Sequence, residues 1–173
     1  MKILKLLFVL LITQLSFAQM AQINWVTFEE AMELNQKEKK HFFFDVYTDW
    51  CGYCKKMDKT TFSHPQIAAY MNEHFYCIKF NAEKNGPIDY EGKTYQVEGN
   101  YHTFATVVNG GQRVKGYPTV SFLDTNFNVI SPIGSYLDGP TFEMIVKYII
   151  GQEAQKGTAF PDWQKTFKNE FSF

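Results

Sequence analysis

The sequence predicts one α/β domain, and three observations support this. Two mostly apolar runs, residues 42–47 and 75–81, have the length and composition of strands that are buried on both faces of a sheet. Segments with apolar residues at helical spacing precede and separate these runs. The chain of 173 residues is 45% hydrophobic and 17% aromatic, which is enough for a single core rich in rings. The net charge of −1 gives no support to nucleic-acid binding.

Residues 1–18 are expected to be an export signal outside the fold, which leaves 19–173 as the domain. Two lysines precede an apolar run over residues 6–12, and Ser16-Phe17-Ala18 has the small-x-small pattern of a cleavage site. The run is too short to span a bilayer. Cleavage removes two lysines and so changes the net charge from −1 to −3, whereas the alternative is an uncleaved N-terminal anchor. All three cysteines lie in 19–173, and an exported chain enters an oxidising compartment in which disulfides persist.

The first elements are a short strand and a capped helix. Residues 23–26 have the pattern of a strand, and Thr27 followed by Glu30 forms a capping box for the next helix. We expect this helix to end at Lys39-Lys40, where positive charge suits the helix dipole. Four apolar side chains are predicted near one face: Phe28, Ala31, Met32 and Leu34.

Asp45 lies inside the first buried strand, six residues before Cys51. An unpaired carboxylate is costly to bury, so we expect Asp45 to hold its proton more readily than in water. The apolar residues around it favour a part in the chemistry of a site. The alternative is a solvated aspartate at a strand end, or one that holds a loop.

Cys51 and Cys54 form a C-x-x-C pair after that strand, with Gly52 and Tyr53 between them. We expect Cys51 in the first turn of the following helix, where free N–H groups and the helix dipole stabilise a thiolate. Such thiols have pKa values of roughly 3.5–7.5 instead of about 8.5, and the thiolate is the form that attacks disulfides. Cys54, one turn later, is close enough to resolve the resulting mixed disulfide.

Two other uses of a C-x-x-C pair are weaker here. A zinc site usually needs four ligands, and neither the third cysteine, Cys77, nor the four histidines show ligand spacing. We therefore predict no metal. A purely structural disulfide would close a very small loop and would gain little by restricting the unfolded chain. Thiol–disulfide chemistry is the favoured interpretation.

The helix that begins near Cys51 is expected to continue over 55–62 and to break or kink at Ser63-His64-Pro65. It should resume over 66–74 and lead into the strand at 75–81. Cys77 lies inside this strand, and its expected burial favours an inert thiol over a regulatory one.

Residues 82–114 are predicted to form an insertion. Residues 88–97 alternate in polarity and turn at Glu91-Gly92, as in a small hairpin. Residues 101–109 have the pattern of a helix that Gly110-Gly111 stops. The sequence leaves open whether this insertion shapes a substrate groove or decorates the edge of the sheet.

The C-terminal part begins with a predicted strand pair, 119–123 and 128–131, around a turn-rich tetrad. A helix is expected from Gly139-Pro140 to Ile150.

The tail, residues 161–173, has Trp163, Phe167 and Phe171 at helical spacing. This predicts an aromatic helix that packs back on the body. A partner-binding helix is the alternative, because the stripe would otherwise be an exposed apolar patch.

The segment Asp49-Trp50-Cys51-Gly52-Tyr53-Cys54-Lys55 resembles the active site of the thioredoxin superfamily, and Gly116-Tyr117-Pro118-Thr119 resembles the segment with that family's cis-proline. The resemblance extends from about residue 25 to residue 151 and is to secreted bacterial thioredoxin-like proteins. It implies a thioredoxin-like fold, a central mixed sheet flanked by helices, with an insertion before the cis-proline strand. Position alone would also allow an ordinary trans turn proline.

The resemblance implies a role for each residue of the site. Cys51 would be the nucleophile and Cys54 the resolving thiol. Asp45 would lie beneath Cys54 and accept its proton, perturbed by Lys79, for which a snorkelling lysine at the edge is the alternative. Five residues would contact the substrate: Trp50, Gly52, Tyr53, Tyr117 and Pro118. No cofactor beyond the redox-active disulfide Cys51–Cys54 is expected.

The expected activity is reduction or isomerisation of protein disulfides in the periplasm. Gly52-Tyr53 matches the dipeptide of periplasmic disulfide isomerases, whereas the surrounding chain is similar to reducing relatives. Reduction potentials across this superfamily span about −270 to −120 mV, roughly 7 kcal/mol for two electrons. The direction of electron transfer therefore stays open, and a dithiol oxidase is the second choice. The expected partners are protein thiols and disulfides and a membrane-bound electron donor, with no nucleic acid. A non-catalytic binding module is the alternative.

Overall fold

The computed structural model describes residues 22–151 and 157–173, and the predicted signal at 1–18 lies outside them. No helix in these two ranges has the length and apolar character needed to cross a membrane. The described elements, in chain order, are β1 (Trp25–Val26), α1 (Phe28–Lys37), β2 (His41–Tyr47), α2 (Gly52–Met57), a π-helical segment (Asp58–Phe62), α3 (Pro65–His74), β3 (Phe75–Asn81), β4 (Ile88–Tyr90), β5 (Lys93–Tyr95), β6 (Val97–Glu98), β7 (Tyr101–His102), α4 (Phe104–Val108), β8 (Thr119–Leu123), β9 (Val129–Ile133), α5 (Gly139–Ile150) and α6 (Phe160–Thr166).

Five strands form one mixed sheet in the order β1-β3-β2-β8-β9. The first three run parallel, whereas β8 is antiparallel to β2 and to β9. Strand β2 therefore lies at the centre with a partner on each side, as its nearly continuous apolar composition predicts.

Alternation along β2 sends its side chains into two separate cores, one on each face of the sheet. Phe42, Phe44 and Val46 pack in one core with residues of α1 and α4. Phe43 packs in the other with residues of α2, α3 and α5. Helices thus cover both faces, which confirms the predicted α/β arrangement. Asp45, two residues beyond Phe43, lies on the face that α2 covers.

The insertion, residues 82–114, supplies much of one core and does not merely decorate the sheet edge. Seven of its apolar side chains are buried there: Ala82, Ile88, Tyr101, Phe104, Ala105, Val108 and Val114. The predicted hairpin is present as β4–β5, with Glu91 and Gly92 at positive φ in its turn. The helix predicted over 101–109 is shorter than expected, because Tyr101 and His102 pair with β6 and only Phe104–Val108 are helical.

Several predicted boundaries are wrong by a few residues. The first strand is limited to Trp25–Val26, and the strand predicted at 128–131 spans Val129–Ile133. Helix α1 has the predicted Thr27–Glu30 capping box but ends at Lys37, where the Asn35 side chain accepts the N–H of Lys40 at 3.1 Å. Asn35 is buried, and its amide also donates to the Thr125 carbonyl at 3.0 Å.

The prediction that Leu34 lies in the apolar face of α1 is wrong, because Leu34 is 38% exposed.

The long helix predicted over 55–62 is in fact two segments. Helix α2 ends at Met57, and Asp58–Phe62 continue with the wider π-helical turn. Pro65 then occupies the first turn of α3, a position that needs no N–H donor. The break at Ser63-His64-Pro65 is therefore confirmed.

The C-terminal tail packs on the body, but the helix predicted over 161–173 ends at Thr166 because Phe167 has extended backbone angles. The buried carboxylate of Glu143 on α5 accepts the backbone N–H groups of Glu170 and Phe171 at 2.9 and 3.2 Å. A continued helix would use these N–H groups internally. Capture by Glu143 is therefore the physical reason for the extended tail.

Candidate active site

The C-x-x-C pair lies where β2 has ended and α2 begins. Cys51 is the N-cap residue of α2, and its Sγ accepts the backbone N–H of Cys54 at 3.0 Å. The two sulfurs are joined in a disulfide, with Cα atoms 5.3 Å apart. Cys51 is 4% exposed and Cys54 2%, so Cys51 is the more accessible of the two. Cys51 was expected in the first turn and lies one position earlier, at the N-cap. Its sulfur is still at the helix N-terminus.

The turn that follows β3 holds the loop before the disulfide. The Trp50 indole Nε1 donates to both carboxylate oxygens of Glu83, at 3.0 and 3.1 Å. Asp49 accepts the Asn81 amide at 2.8 Å and pairs with Lys84. Because its nitrogen is bonded while its ring is 67% exposed, Trp50 presents a fixed apolar surface to solvent.

Two aromatic pairs border the dithiol. The rings of Trp50 and Tyr117 meet edge to face with centroids 5.8 Å apart. The Tyr117–Pro118 bond is cis, as the resemblance implies, and Pro118 is buried. Tyr53, 63% exposed, packs its ring 6.0 Å from that of Tyr136. Trp50 directly precedes Cys51 and Tyr53 directly precedes Cys54, so exposed rings flank both cysteines in the chain.

Asp45 and Lys79 are neighbours in the parallel pairing of β2 with β3. Lys79 Nζ donates to Asp45 Oδ2 at 3.1 Å, while Asp45 Oδ1 has no hydrogen-bond partner in the described chain. Asp45 is 1% exposed. The expectation of a buried carboxyl is confirmed, and Lys79 lies beside it, as the resemblance implies.

The Asp45 carboxyl and the Lys79 ammonium each shift the pKa of the other. Burial raises the pKa of Asp45 to about 6, because the charged carboxylate loses its hydration, and Lys79 only partly opposes this. For Lys79 burial acts against the charged form, but the carboxylates of Asp45 and Asp58 outweigh it and raise the pKa of Lys79. Lys79 therefore stays a cation while Asp45 gains and loses its proton.

Lys79 also connects the buried acid with the surface. Its ammonium pairs with Asp58 in the π-helical segment and lies 5.0 Å from the ring centre of Trp25 and 5.2 Å from that of Tyr47. A pocket of about 420 Å³ opens here, with Asp58 and Lys79 in its lining. Cation–π contacts and two carboxylates together fix the ammonium against Asp45.

Sequence reasoning missed three residues that contact the predicted site: Asp58, Glu83 and Tyr136. Asp58 stands four residues after Cys54, one helical turn on, and this spacing was the available signal. Glu83 and Tyr136 lie in loops whose contacts depend on the tertiary fold. Within 22–151 and 157–173, no three His, Cys, Asp or Glu residues cluster closely enough to hold a metal ion.

Cys77 is separate from this chemistry. It is buried in β3, is not part of the disulfide, and burial raises the pKa of its thiol above the ordinary value. A thiol that is neither accessible nor readily ionised is a poor nucleophile. This supports the prediction that Cys77 is inert.

Residues 28–150 match the family of thioredoxin-like domains. Among curated proteins, the chain is 28% identical over 120 residues to thiol:disulfide interchange protein DsbD of Vibrio vulnificus, an alignment that covers 66% of this chain and 17% of that protein. The DsbD of Haemophilus influenzae is 30% identical over 105 residues, covering 60% and 15%. The chain thus spans less than a fifth of the length of these relatives.

Two solved structures show the same architecture. A putative disulphide-isomerase from Bacteroides thetaiotaomicron superposes with a TM-score of 0.55 at 29% identity, covering 76% of this chain and 95% of that one. A thioredoxin from Thermus thermophilus superposes with a TM-score of 0.59 at 17% identity, covering 79% and 93%, which bears on the fold alone. The predicted thioredoxin-like fold is confirmed.

Proposed function

The chain belongs to the thioredoxin-like family of thiol–disulfide oxidoreductases, and we propose that it reduces or isomerises protein disulfides through Cys51 and Cys54. The observation that carries this proposal is the bond between the two sulfurs at the N-cap of α2. A dithiol that closes into a disulfide within its own helix turn can exchange that bond with another disulfide. The relatives named thiol:disulfide interchange protein support the same class of reaction.

The exchange starts from the reduced pair. The Cys51 thiolate attacks one sulfur of a substrate disulfide, that S–S bond breaks, and the second substrate sulfur leaves as a thiolate. Cys54 then loses its proton and attacks the Cys51 sulfur, so that the first substrate sulfur leaves and the Cys51–Cys54 bond forms. The substrate has gained the two electrons that the dithiol has lost. In isomerisation a substrate thiolate, instead of Cys54, attacks the substrate sulfur of the mixed disulfide. Cys51 then leaves as a thiolate, so the dithiol is returned unchanged.

Asp45 is the proposed acceptor of the Cys54 proton. With a pKa of about 6 it is mostly ionised at neutral pH and yet more basic than an ordinary carboxylate. Lys79 occupies Oδ2, which leaves Oδ1 as the free acceptor atom. Its position on the sheet face that α2 covers supports a proton route between the dithiol and the strand beneath it.

The proposed substrate is an extended polypeptide that lies between the two aromatic pairs. As the family resemblance implies, Tyr117, which precedes the cis proline Pro118, would offer its backbone N–H and C=O to the substrate chain. Trp50 and Tyr53 expose 67% and 63% of their surfaces and supply apolar contacts on either side. Backbone pairing explains how such a site accepts many sequences.

We propose the periplasm as the compartment, because residues 1–18 have the pattern of an export signal. Reduction consumes the dithiol, so each cycle requires an external reductant. The proposed source is a membrane-bound dithiol donor that passes two electrons to the Cys51–Cys54 disulfide and leaves with its own sulfurs oxidised.

Insulin reduction in the presence of a small dithiol reductant tests the proposal. The wild-type protein is expected to accelerate precipitation of the insulin B chain, and Cys51→Ser is expected to abolish the acceleration. Cys77→Ala is the matched control, since it removes a cysteine that is buried away from the pair. A wild-type rate no greater than that of the reductant alone, or full activity in Cys51→Ser, would contradict the proposal.

A further inference from the structure

The loop that leads from the insertion into the cis-proline segment borders a second pocket. Its volume is about 400 Å³. Gly116 and Thr119, which line it, stand directly on either side of the Tyr117–Pro118 pair. The remaining lining residues are Asn109, Gln112, Arg113, Lys115 and Gly134. The pocket is therefore continuous in sequence with the backbone that the substrate chain is proposed to meet.

The charge of this pocket is entirely positive. Arg113 and Lys115 are both exposed, and none of the lining residues is acidic. Within residues 22–151 and 157–173, no carboxylate forms an ion pair with either cation, whereas Lys79 and Lys84 near the site each have one. The Glu83 carboxylate accepts the Trp50 indole N–H. The pocket thus offers two cations that the described chain leaves without an acidic partner.

Buried residues hold the Arg113 guanidinium and the backbone between the two cations. The Arg113 guanidinium stacks 3.9 Å from the ring centre of Tyr101, which is 4% exposed. Val114, between the two cations, is buried and donates its N–H to the Tyr101 hydroxyl at 3.2 Å. Earlier in the loop, the Asn109 amide donates to the Gln112 carbonyl at 2.8 Å. Because these contacts order the loop in advance, a ligand loses little conformational freedom of the protein on binding.

Arg113 also acts electrostatically on the proposed groove. Burial raises the pKa of Tyr117, Tyr101 and the negative charge of Glu83 add to that rise, and the positive charge of Arg113 opposes it.

We propose that Arg113 and Lys115 form a subsite for carboxylate side chains, so that polypeptides with Asp or Glu close to the reactive disulfide are the favoured substrates. This inference rests on the proposed function and names a substrate class for it. Exposed ion pairs of this kind contribute modestly and are screened by salt. The expected preference is therefore a few-fold per cation and is largest at low ionic strength.

The test compares two disulfide-linked fluorescent peptides that differ only in residues flanking the cysteine, three glutamates in one and three glutamines in the other. The quantity measured is the ratio of the second-order rate constants with which the reduced wild-type protein reduces the two peptides in a single turnover. We expect the acidic peptide to be favoured about threefold to tenfold at low salt. Lys115→Glu is expected to lower this ratio about fivefold, and Lys115→Gln by a smaller factor.

Lys39→Glu is the matched control, because it makes the same change in net charge at an exposed lysine. Lys39 precedes β2 whereas Cys51 follows it, so the two lie at opposite ends of that strand. The control is expected to keep the wild-type ratio. A second check raises the salt concentration to about 0.5 M, which should bring the ratio of the wild-type protein close to one.

The subsite is refuted if the wild-type protein turns over both peptides equally at low salt, or if Lys39→Glu lowers the ratio as much as Lys115→Glu. In either case exchange itself continues, and the proposed function stands. If the wild-type protein turns over neither peptide, the proposed function fails and the subsite fails with it.

Discussion

Replacing Asp45 with asparagine is expected to change how the stability of the oxidised protein depends on pH. Asp45 is 1% exposed, and its pKa is raised from 3.8 to about 6, chiefly by burial. The folded state therefore binds the proton more tightly than the unfolded state. The contribution of Asp45 to stability is greatest below about pH 3.8 and is lost as the pH rises through about 6, where the folded chain must ionise a carboxyl that has lost its hydration.

The size of the effect follows from the shift. About two pKa units at 1.36 kcal/mol each give a loss of about 3 kcal/mol, of which about 2 kcal/mol falls between pH 4 and pH 8. Asparagine has no such titration, and Lys79 keeps Asp58 as its partner in the variant. The free energy of unfolding of Asp45→Asn minus that of the wild type should therefore rise by about 2 kcal/mol from pH 4 to pH 8. Any constant cost of the amide cancels in this comparison.

Urea denaturation followed by tryptophan fluorescence, with the disulfide intact, measures this difference at each pH. Asp89→Asn, at an exposed aspartate in β4, is the matched control and should show no comparable trend. A difference that stays flat across the range, or that falls as the pH rises, would refute the assignment of Asp45 as a buried carboxyl that titrates near pH 6.

Two further predictions concern the fold around the site. Glu143→Ala removes a fully buried carboxylate that accepts the tail N–H groups and pairs with Lys147. Urea denaturation should therefore show that the free energy of unfolding falls by at least about 2 kcal/mol, and limited proteolysis should cleave beyond Thr166 faster. Unchanged proteolysis would contradict the role of Glu143 in holding the tail. Thr27→Ala removes half of the capping box of α1 and should cost about 1 kcal/mol in the same assay, whereas the exposed control Thr166→Ala should cost less.

The parts of the site that lie close together in the sequence could be predicted from it. Cys51 and Cys54 are three residues apart, and the apolar run before them identifies the strand that carries them to one end of the sheet. The cis bond at Pro118 was implied only by the resemblance, since no local rule distinguishes it from a trans turn proline.

Contacts between distant segments could not be predicted in the same way. The pairing of Asp45 with Lys79 requires the register of two parallel strands, which periodicity does not specify. The extended tail depends on Glu143, 27 residues before Glu170, because that carboxylate captures N–H groups that helical spacing had assigned to a helix. The π-helical turn at Asp58–Phe62 likewise interrupts a segment whose apolar spacing suits a continuous α-helix.

The most direct test of the proposed mechanism is to trap the mixed disulfide. The reduced variants Cys54→Ser and Cys51→Ser are each mixed with a disulfide-linked peptide, quenched with acid and digested, and the adducts are located by mass spectrometry. The account predicts a stable adduct on Cys51 in Cys54→Ser, because the resolving thiol is absent, and little or none on Cys54 in Cys51→Ser. An adduct that forms on Cys54 as fast as on Cys51 would contradict the assignment of Cys51 as the attacking sulfur.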